Sequence, residues 1–131
     1  MTEGKAHIKK SLFLPDTMQI QVLKSKIHRV KITGADIDYV GSITIDEDLM
    51  DAAGLLENEQ VHVFNYRNGA RLITYVIKGQ RGSGEILMNG PAALQISTGD
   101  EVIVVSYAGM EVEEARRHVP KVIFPGPGNR V

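Results

Sequence analysis

The sequence predicts a mainly β fold, a small barrel with short helices, and three observations carry that prediction. Short runs of β-branched and aromatic residues recur along the chain, several alternating polar with apolar at the two-residue period of a half-buried strand. Turns built on Gly, Asn and Pro separate these runs. Helical patterning is confined to two brief segments, so little besides strands is left to build a core.

Taken in order, residues 1–17 read as an N-terminal appendage, either disordered or the product of a misassigned start, and residues 18–131 as one domain. Gln19-Ile20-Gln21-Val22 alternates as a strand does, and Ile27-His28-Arg29-Val30-Lys31-Ile32 repeats the pattern before Gly34 breaks it. Ser42-Ile43-Thr44-Ile45 is short and β-branched. Asp46 then suits a helix N-cap, with Glu47 and Asp48 in the first turn, Leu49, Ala52 and Ala53 as an apolar side, and Gly54 as the stop. Residues 61–66 and 71–77 are β-prone and flank Asn68-Gly69, two residues that tolerate positive φ, which predicts a hairpin. Gly82-Ser83-Gly84 is a flexible turn, and Glu85-Ile86-Leu87-Met88 a strand closed by Asn89-Gly90-Pro91. The nearly continuous apolar run 101–107 belongs in the barrel interior. Residues 113–118 form one helical turn before Pro120, Val122-Ile123-Phe124 is a last strand, and Pro125-Gly126-Pro127-Gly128 frays into a tail.

Composition narrows the function classes. With 131 residues, 43% hydrophobic and 24% charged, the chain has enough material for one cored domain. A net charge of -1 gives no electrostatic reason to expect nucleic acid or an anionic membrane as partner. The chain has no cysteine, which excludes disulfides, zinc-thiolate sites and thiol nucleophiles. No apolar run reaches membrane-spanning length, and Ser11-Leu12-Phe13-Leu14 is too short for a signal-peptide core, so the expected compartment is the cytoplasm.

Few residues carry chemistry by pattern alone. The histidines, His7, His28, His62 and His118, show no metal-ligand spacing, so no metal is expected. His62 alternates with Val61 and Val63 and reads as a solvent-facing strand residue. Lys26 and His28 share a face at period two, with Arg29 adjacent; that pattern fits a solvated face or a carboxylate-binding wall. Gly82-Ser83-Gly84 lacks the Gly-Lys-Ser/Thr of a phosphate loop, and no Gly-x-Ser-x-Gly elbow is present. Asp46-Glu47-Asp48 is explained by the helix start. Gly41-Ser42 is an ordinary turn pair on composition, yet serine after glycine is also a workable intramolecular nucleophile. Glycine leaves its carbonyl sterically open and permits a strained backbone.

The surroundings of that pair decide between the two. Lys24-Ser25-Lys26-Ile27-His28-Arg29, Ala35-Asp36-Ile37, Tyr39-Val40-Gly41-Ser42, Leu49-Met50-Asp51-Ala52-Ala53, Asn68-Gly69-Ala70-Arg71, Thr74-Tyr75, Arg81-Gly82-Ser83-Gly84, Asn89-Gly90 and Gly99-Asp100 occur in this order. From about Met18 to Phe124 the chain resembles the pyruvoyl-dependent aspartate 1-decarboxylases, and Met18 stands where the family's first strand opens. The resemblance implies a six-stranded double-psi β-barrel. It implies that Ser42 attacks the Gly41 carbonyl, with Thr74 as oxyanion donor, and that the chain splits into residues 1–41 and 42–131. Cleavage would be spontaneous or assisted by a maturation protein. Ser42 would become a pyruvoyl group, making pyridoxal phosphate and metal unnecessary, and the group would form a Schiff base with substrate.

The implied substrate is L-aspartate and the products are β-alanine and carbon dioxide, for pantothenate and coenzyme A synthesis. Lys26 and Arg71 would hold substrate carboxylate, and Tyr75 would return a proton to the carbanion. Thr74, Gly90, Pro91 and Ala92 would line the pocket, with His28, Tyr39 and Asn89 in support. A homotetramer with shared active sites is implied as well. Two positions depart from the common pattern: Pro91 stands where many members have Ala, and Val40 where some have Glu. Proline lacks a backbone N–H, so altered carboxylate binding is expected. The competing readings are a barrel that keeps the fold without cleaving and serves as a binding or regulatory protein, and a pyruvoyl decarboxylase of another amino acid.

Overall fold

Strand β1, Gln19–Lys31, joins the two expected N-terminal strands into one. It stays continuous because two irregularities absorb the mismatch with its antiparallel partner β7, Glu101–Glu111. Register shifts fall between Leu23 and Ser25 and between Ile27 and Val30. Arg29 lies in the second shift with φ 69°, a left-handed conformation that a bulge imposes on a non-glycine residue. The period-two argument that put Lys26 and His28 on one face therefore stops at Ile27. The computed structural model describes residues 18–131, so the expected appendage, residues 1–17 with His7, lies outside the described residues.

The remaining strands are β2 (Gly34–Asp36), β3 (Ser42–Asp46), β4 (Gln60–Asn65), β5 (Arg71–Gly79), β6 (Ile86–Asn89) and β8 (Lys121–Ile123). They assemble in the order β2-β6-β3-β5-β4-β7-β1-β8. The mainly β expectation holds, but the strand count is eight rather than six. The count of six came with the family resemblance: β8, parallel to β1, is the last strand expected at Val122-Ile123-Phe124, whereas β2, three residues parallel to β6, is too short to announce itself by periodicity. Side chains from six strands meet in one core, which includes Ile27, Ile43, Val63, Val76, Met88 and Val104, all fully buried. Strands enclosing a single apolar cluster give a barrel-like body.

Helix α1, Glu47–Ala53, starts and stops where expected. The Asp46 side chain accepts from Asp48 N–H, and Gly54 closes the helix in the left-handed conformation, its N–H bonded to the last carbonyls. Helix α2 spans Val112–Arg117. The β4–β5 hairpin forms, though its loop is five residues rather than a two-residue Asn-Gly turn, with only Gly69 at positive φ in that loop. The expected fraying of the C-terminal segment is corrected. Pro127–Asn129 forms a 3-10 turn, and Asn129 is buried because its side chain replaces a strand partner for Lys31. Its Oδ1 accepts from Lys31 N–H and its Nδ2 donates to the Lys31 carbonyl, both at 2.8 Å.

Candidate active site

Ser42 opens β3, and the ladder fixes its surroundings. It pairs with Asn89 across the antiparallel β3–β6 contact, while β3 runs parallel to β5 with Ile43 opposite Val76. This brings the segment before Ser42 beside Thr74 and Tyr75. Ser42 is 1% exposed. Its Oγ donates to the Val40 carbonyl at 3.2 Å and accepts from Asn89 Nδ2 at 3.1 Å. The same Nδ2 donates to Thr44 Oγ1 at 3.2 Å, so one buried amide holds both hydroxyls of the strand.

The chain approaches Gly41 closely on its other side. After Asn89 the backbone turns into a 3-10 segment, Gly90–Leu94, with Pro91 in its first turn, where a missing N–H costs no hydrogen bond. Gly90 has φ +77°, and a Cβ there would sit 2.6 Å from Gly41 Cα and 2.9 Å from Gly41 N. Glycine is therefore required at 90 by space as well as by conformation. A Cβ on Gly41 would meet Pro91 Cδ at 3.9 Å, so the proline ring faces the Gly41 α-carbon.

A pocket of about 470 Å3 opens at this point, lined by Gly41, Leu72, Ile73, Thr74, Tyr75, Asn89, Pro91, Ala92 and Gln95. Five of the residues singled out in the sequence besides Gly41 thus meet in it: Thr74, Tyr75, Asn89, Pro91 and Ala92. Gly90 abuts Gly41 from beneath. Its lining mixes apolar side chains with a hydroxyl, a phenol and an amide, the composition of a small polar ligand's site. Tyr39 is 54% exposed and lines a neighbouring cavity of about 410 Å3 with Asp36, Thr44, Lys78 and Asn89. Asn89 is therefore the wall between the two spaces.

Lys26, His28 and Arg71 are not brought to the pocket. Cross-strand rows place Lys26 beside Val105, Val105 beside His62 and His62 beside Ile73. The next residues, Ile27, Val104, Val63 and Leu72, point toward the core, so Lys26 and His62 belong to the outward face. Arg71, two residues from Ile73, shares it, with its guanidinium 4.5 Å from the Phe64 ring centre. The His28 ring packs at 5.2 Å from Phe124, and its Nδ1 has no partner among the described residues. His62 is only half-exposed because its ring meets the edge of Tyr107 at 5.2 Å.

Sequence reasoning missed Gln95, Asn65 and Asp100. Gln95 ends the 3-10 segment on the pocket rim, and its main-chain carbonyl accepts from Asn68 Nδ2 at 2.8 Å and Asn65 Nδ2 at 3.1 Å. Asp100, nearly buried, accepts from Arg67 Nε at 2.7 Å, Asn65 Nδ2 at 2.8 Å and Ser97 N–H at 2.8 Å. The Arg67 guanidinium, helped by the Ser97 and Asn65 donors and opposed by burial, lowers the Asp100 carboxyl to about 2. Only Gly99-Asp100 in the ordered motifs hinted at this cluster.

The profile of the family described as aspartate decarboxylase matches residues 18–131. The chain belongs to the aspartate decarboxylase family. Among its relatives, the "Aspartate 1-decarboxylase" of Christiangramia forsetii is 59% identical over 108 residues, covering 82% of this chain and 93% of the relative. That of Cytophaga hutchinsonii is 56% identical, covering 87% and 99%, and that of Caldicellulosiruptor saccharolyticus 55%, covering 87% and 89%. Among solved structures, the rationally designed protein mkDPBB_sym_86 aligns with a TM-score of 0.47 and 22% identity over 63% of this chain and 91% of that one. In this family member, Gly41 lines one pocket with Thr74 and Tyr75, and Gly90 packs against it.

Proposed function

We propose that this protein is a self-processing, pyruvoyl-dependent decarboxylase converting L-aspartate to β-alanine and carbon dioxide. We place it in the cytoplasm, supplying β-alanine for pantothenate and coenzyme A synthesis. Family membership supports the reaction. The observation that carries the mechanism is a buried serine hydroxyl, hydrogen-bonded by Asn89, adjoining a glycine that lines a pocket with Thr74 and Tyr75.

In the cleavage step, Ser42 Oγ attacks the Gly41 carbonyl carbon. A new C–O bond forms, the C–N bond breaks, and the hydroxyl proton passes to the freed amine, giving an ester. Asn89 holds the nucleophile, and Thr74, which lines the same pocket as Gly41, is the donor for the developing oxyanion. Loss of the Ser42 α-proton then expels the Gly41 carboxylate. Residue 42 is left as dehydroalanine, which takes up water and releases ammonia to become the pyruvoyl terminus. The bond from Ser42 Oγ to the Val40 carbonyl must break first, because it directs the hydroxyl proton away from the scissile amide.

The residues present fit the group. Its site adjoins a pocket with room for a four-carbon diacid, one wall is apolar, and Asn89 remains to hydrogen-bond a carbonyl oxygen. Once formed, the pyruvoyl carbonyl supplies the electron sink for the pair released as carbon dioxide departs. This chain's side chains do the rest. Leu72, Ile73, Pro91 and Ala92 limit water, and the Tyr75 phenol donates the proton that replaces the lost carboxylate. Arg71 and Lys26 are the carboxylate partners. Since neither lines this chain's own pocket, this reading has them serve the pocket of a neighbouring copy in a homotetramer.

Denaturing mass spectrometry tests the processing: residues 1–41 and 42–131 should appear as separate masses, and Ser42→Ala should remain whole. Carbon dioxide release across an amino-acid panel tests the substrate. Turnover of another amino acid in preference to aspartate would overturn the substrate assignment.

A further inference from the structure

In the Asn68-Gly69-Ala70-Arg71 motif, Asn68 carries a polar side chain to which neither the pocket nor the chemistry gives a role. Asn68 is exposed in the β4–β5 loop and does not line the pocket. Both ends of its amide are nonetheless engaged. Oδ1 accepts from Ala70 N–H at 2.9 Å, which shapes the loop, and Nδ2 donates to the Gln95 carbonyl at 2.8 Å, across the gap to the pocket rim. The Gln95 carbonyl also takes Asn65 Nδ2 and the outer nitrogen of Arg67, at 3.1 and 3.4 Å.

Three side-chain donors on one backbone oxygen is an unusual concentration, and its position gives it meaning. The 3-10 segment Gly90–Leu94 has no side-chain N-cap, and its proline donates no hydrogen bond. At its start it rests on Gly41; at its end it is fixed by buried Ile96 and by Gln95. Pro91 and Ala92 lie between these supports, the Ala92 carbonyl accepting from Gln95 N–H and Ile96 N–H at 3.0 Å, and form one side of the pocket, while Leu72, Ile73, Thr74 and Tyr75, on the strand that follows the Asn68 loop, form the other. We propose that Asn68 is a positioning residue for substrate binding: its amide ties the β4–β5 loop to the Gln95 carbonyl and so sets the distance between the two pocket walls. Asn65 and Arg67 share the tie but also serve buried Asp100, so their loss mixes positioning with stability. Asn68 is the one of the three donors that makes no bond to Asp100.

This inference rests on the decarboxylase reading, and the experiment separates the two. In Asn68→Asp the Oδ acceptor for Ala70 N–H remains, while the donor to Gln95 is lost and two oxygens face each other. Asn68→Ala removes both bonds. Cleaved Asn68→Asp should show a KM for aspartate raised about three- to tenfold, with kcat per pyruvoyl chain within about twofold of the parent. Hydrogen exchange of the amides in residues 92–96 should quicken, with no loss of thermal stability beyond that of Asn68→Ala. Unchanged KM together with unchanged exchange would overturn the role of Asn68, as would a kinetic loss that merely followed unfolding. Absence of cleavage and of carbon dioxide release in the parent protein would instead overturn the decarboxylase reading, and the exchange measurement would still decide whether Asn68 holds the 92–96 segment.

Discussion

Two substitutions at single positions separate the shape of the site from its chemistry. Gly90 meets the Gly41 backbone with no room for a Cβ, at φ +77°. Gly90→Ala adds left-handed strain of about 1–2 kcal/mol and a contact that must displace Gly41. The expected result is a folded chain whose cleavage slows by at least about tenfold, a factor worth about 1.4 kcal/mol on the barrier, followed as loss of the intact mass with time. Tyr75→Phe keeps the strand and the ring but removes the phenol. Cleavage should proceed to the parent extent, while kcat falls by about 10²-fold or more, the ordinary weight of a general acid. Parent-level turnover in Tyr75→Phe would assign the proton to another donor. Tyr75 and Thr74 were legible through the family motif, but as residues alone they are simply good strand formers.

At the scale of elements, Asp46 joins three of them. Its carboxylate caps α1 through Asp48 N–H at 2.8 Å and takes Gly82 N–H at 3.0 Å and Gly84 N–H at 2.7 Å from the β5–β6 turn. Burial alone would raise this carboxyl, but the Gly84, Asp48 and Gly82 donors outweigh it and hold it below its ordinary value. Asp46→Ala should cost about 2 kcal/mol or more, a lost cap plus buried unpaired N–H groups, read as a shift in the urea midpoint. Asp46 and Asp100 both have depressed folded-state values, so their contribution is fully present above the ordinary carboxylate range. It is lost as pH falls through the folded values, which for Asp100 is about 2. Stability measured from pH 5 down to 2 should therefore decline progressively, and less steeply in Asp100→Asn. The cap was readable because its signals are local: Asp46 before an acidic first turn, and Gly54 at the end. The Arg29 bulge and the Asn129 plug were not, because each exists only through a partner far along the chain.

Across the whole molecule, the outward sheet face brings apolar and cationic side chains together. It carries Ile73 and Tyr107, 58% and 42% exposed, alongside Lys26, Arg71 and Phe64. An apolar surface mixed with the carboxylate-binding candidates is what a shared site between copies requires. If copies assemble through this face as proposed, Ile73→Asp should reduce the mass found by light scattering; because Ile73 also lines the pocket, mass rather than turnover is the readout. An unchanged mass would place the interface elsewhere. The strand-rich class and most pocket residues followed from alternation and ordered motifs. The separation of Arg71 and Lys26 from the pocket did not, because period and spacing fix a side chain's face but not its distance from a pocket built by other strands. Strand β2 was likewise hidden, since Gly34–Asp36 is a strand only by virtue of β6 beside it, whereas β8 was legible in Val122-Ile123-Phe124.

The central claim is that the bond between Gly41 and Ser42 opens by itself and leaves a keto-acyl terminus. Denaturing mass spectrometry of the purified protein, before and after borohydride treatment, tests it most directly. The account requires two chains that break between residues 41 and 42, with the larger one carrying a reducible carbonyl. A single intact chain that persists on ageing, with no mass change on reduction, would contradict it.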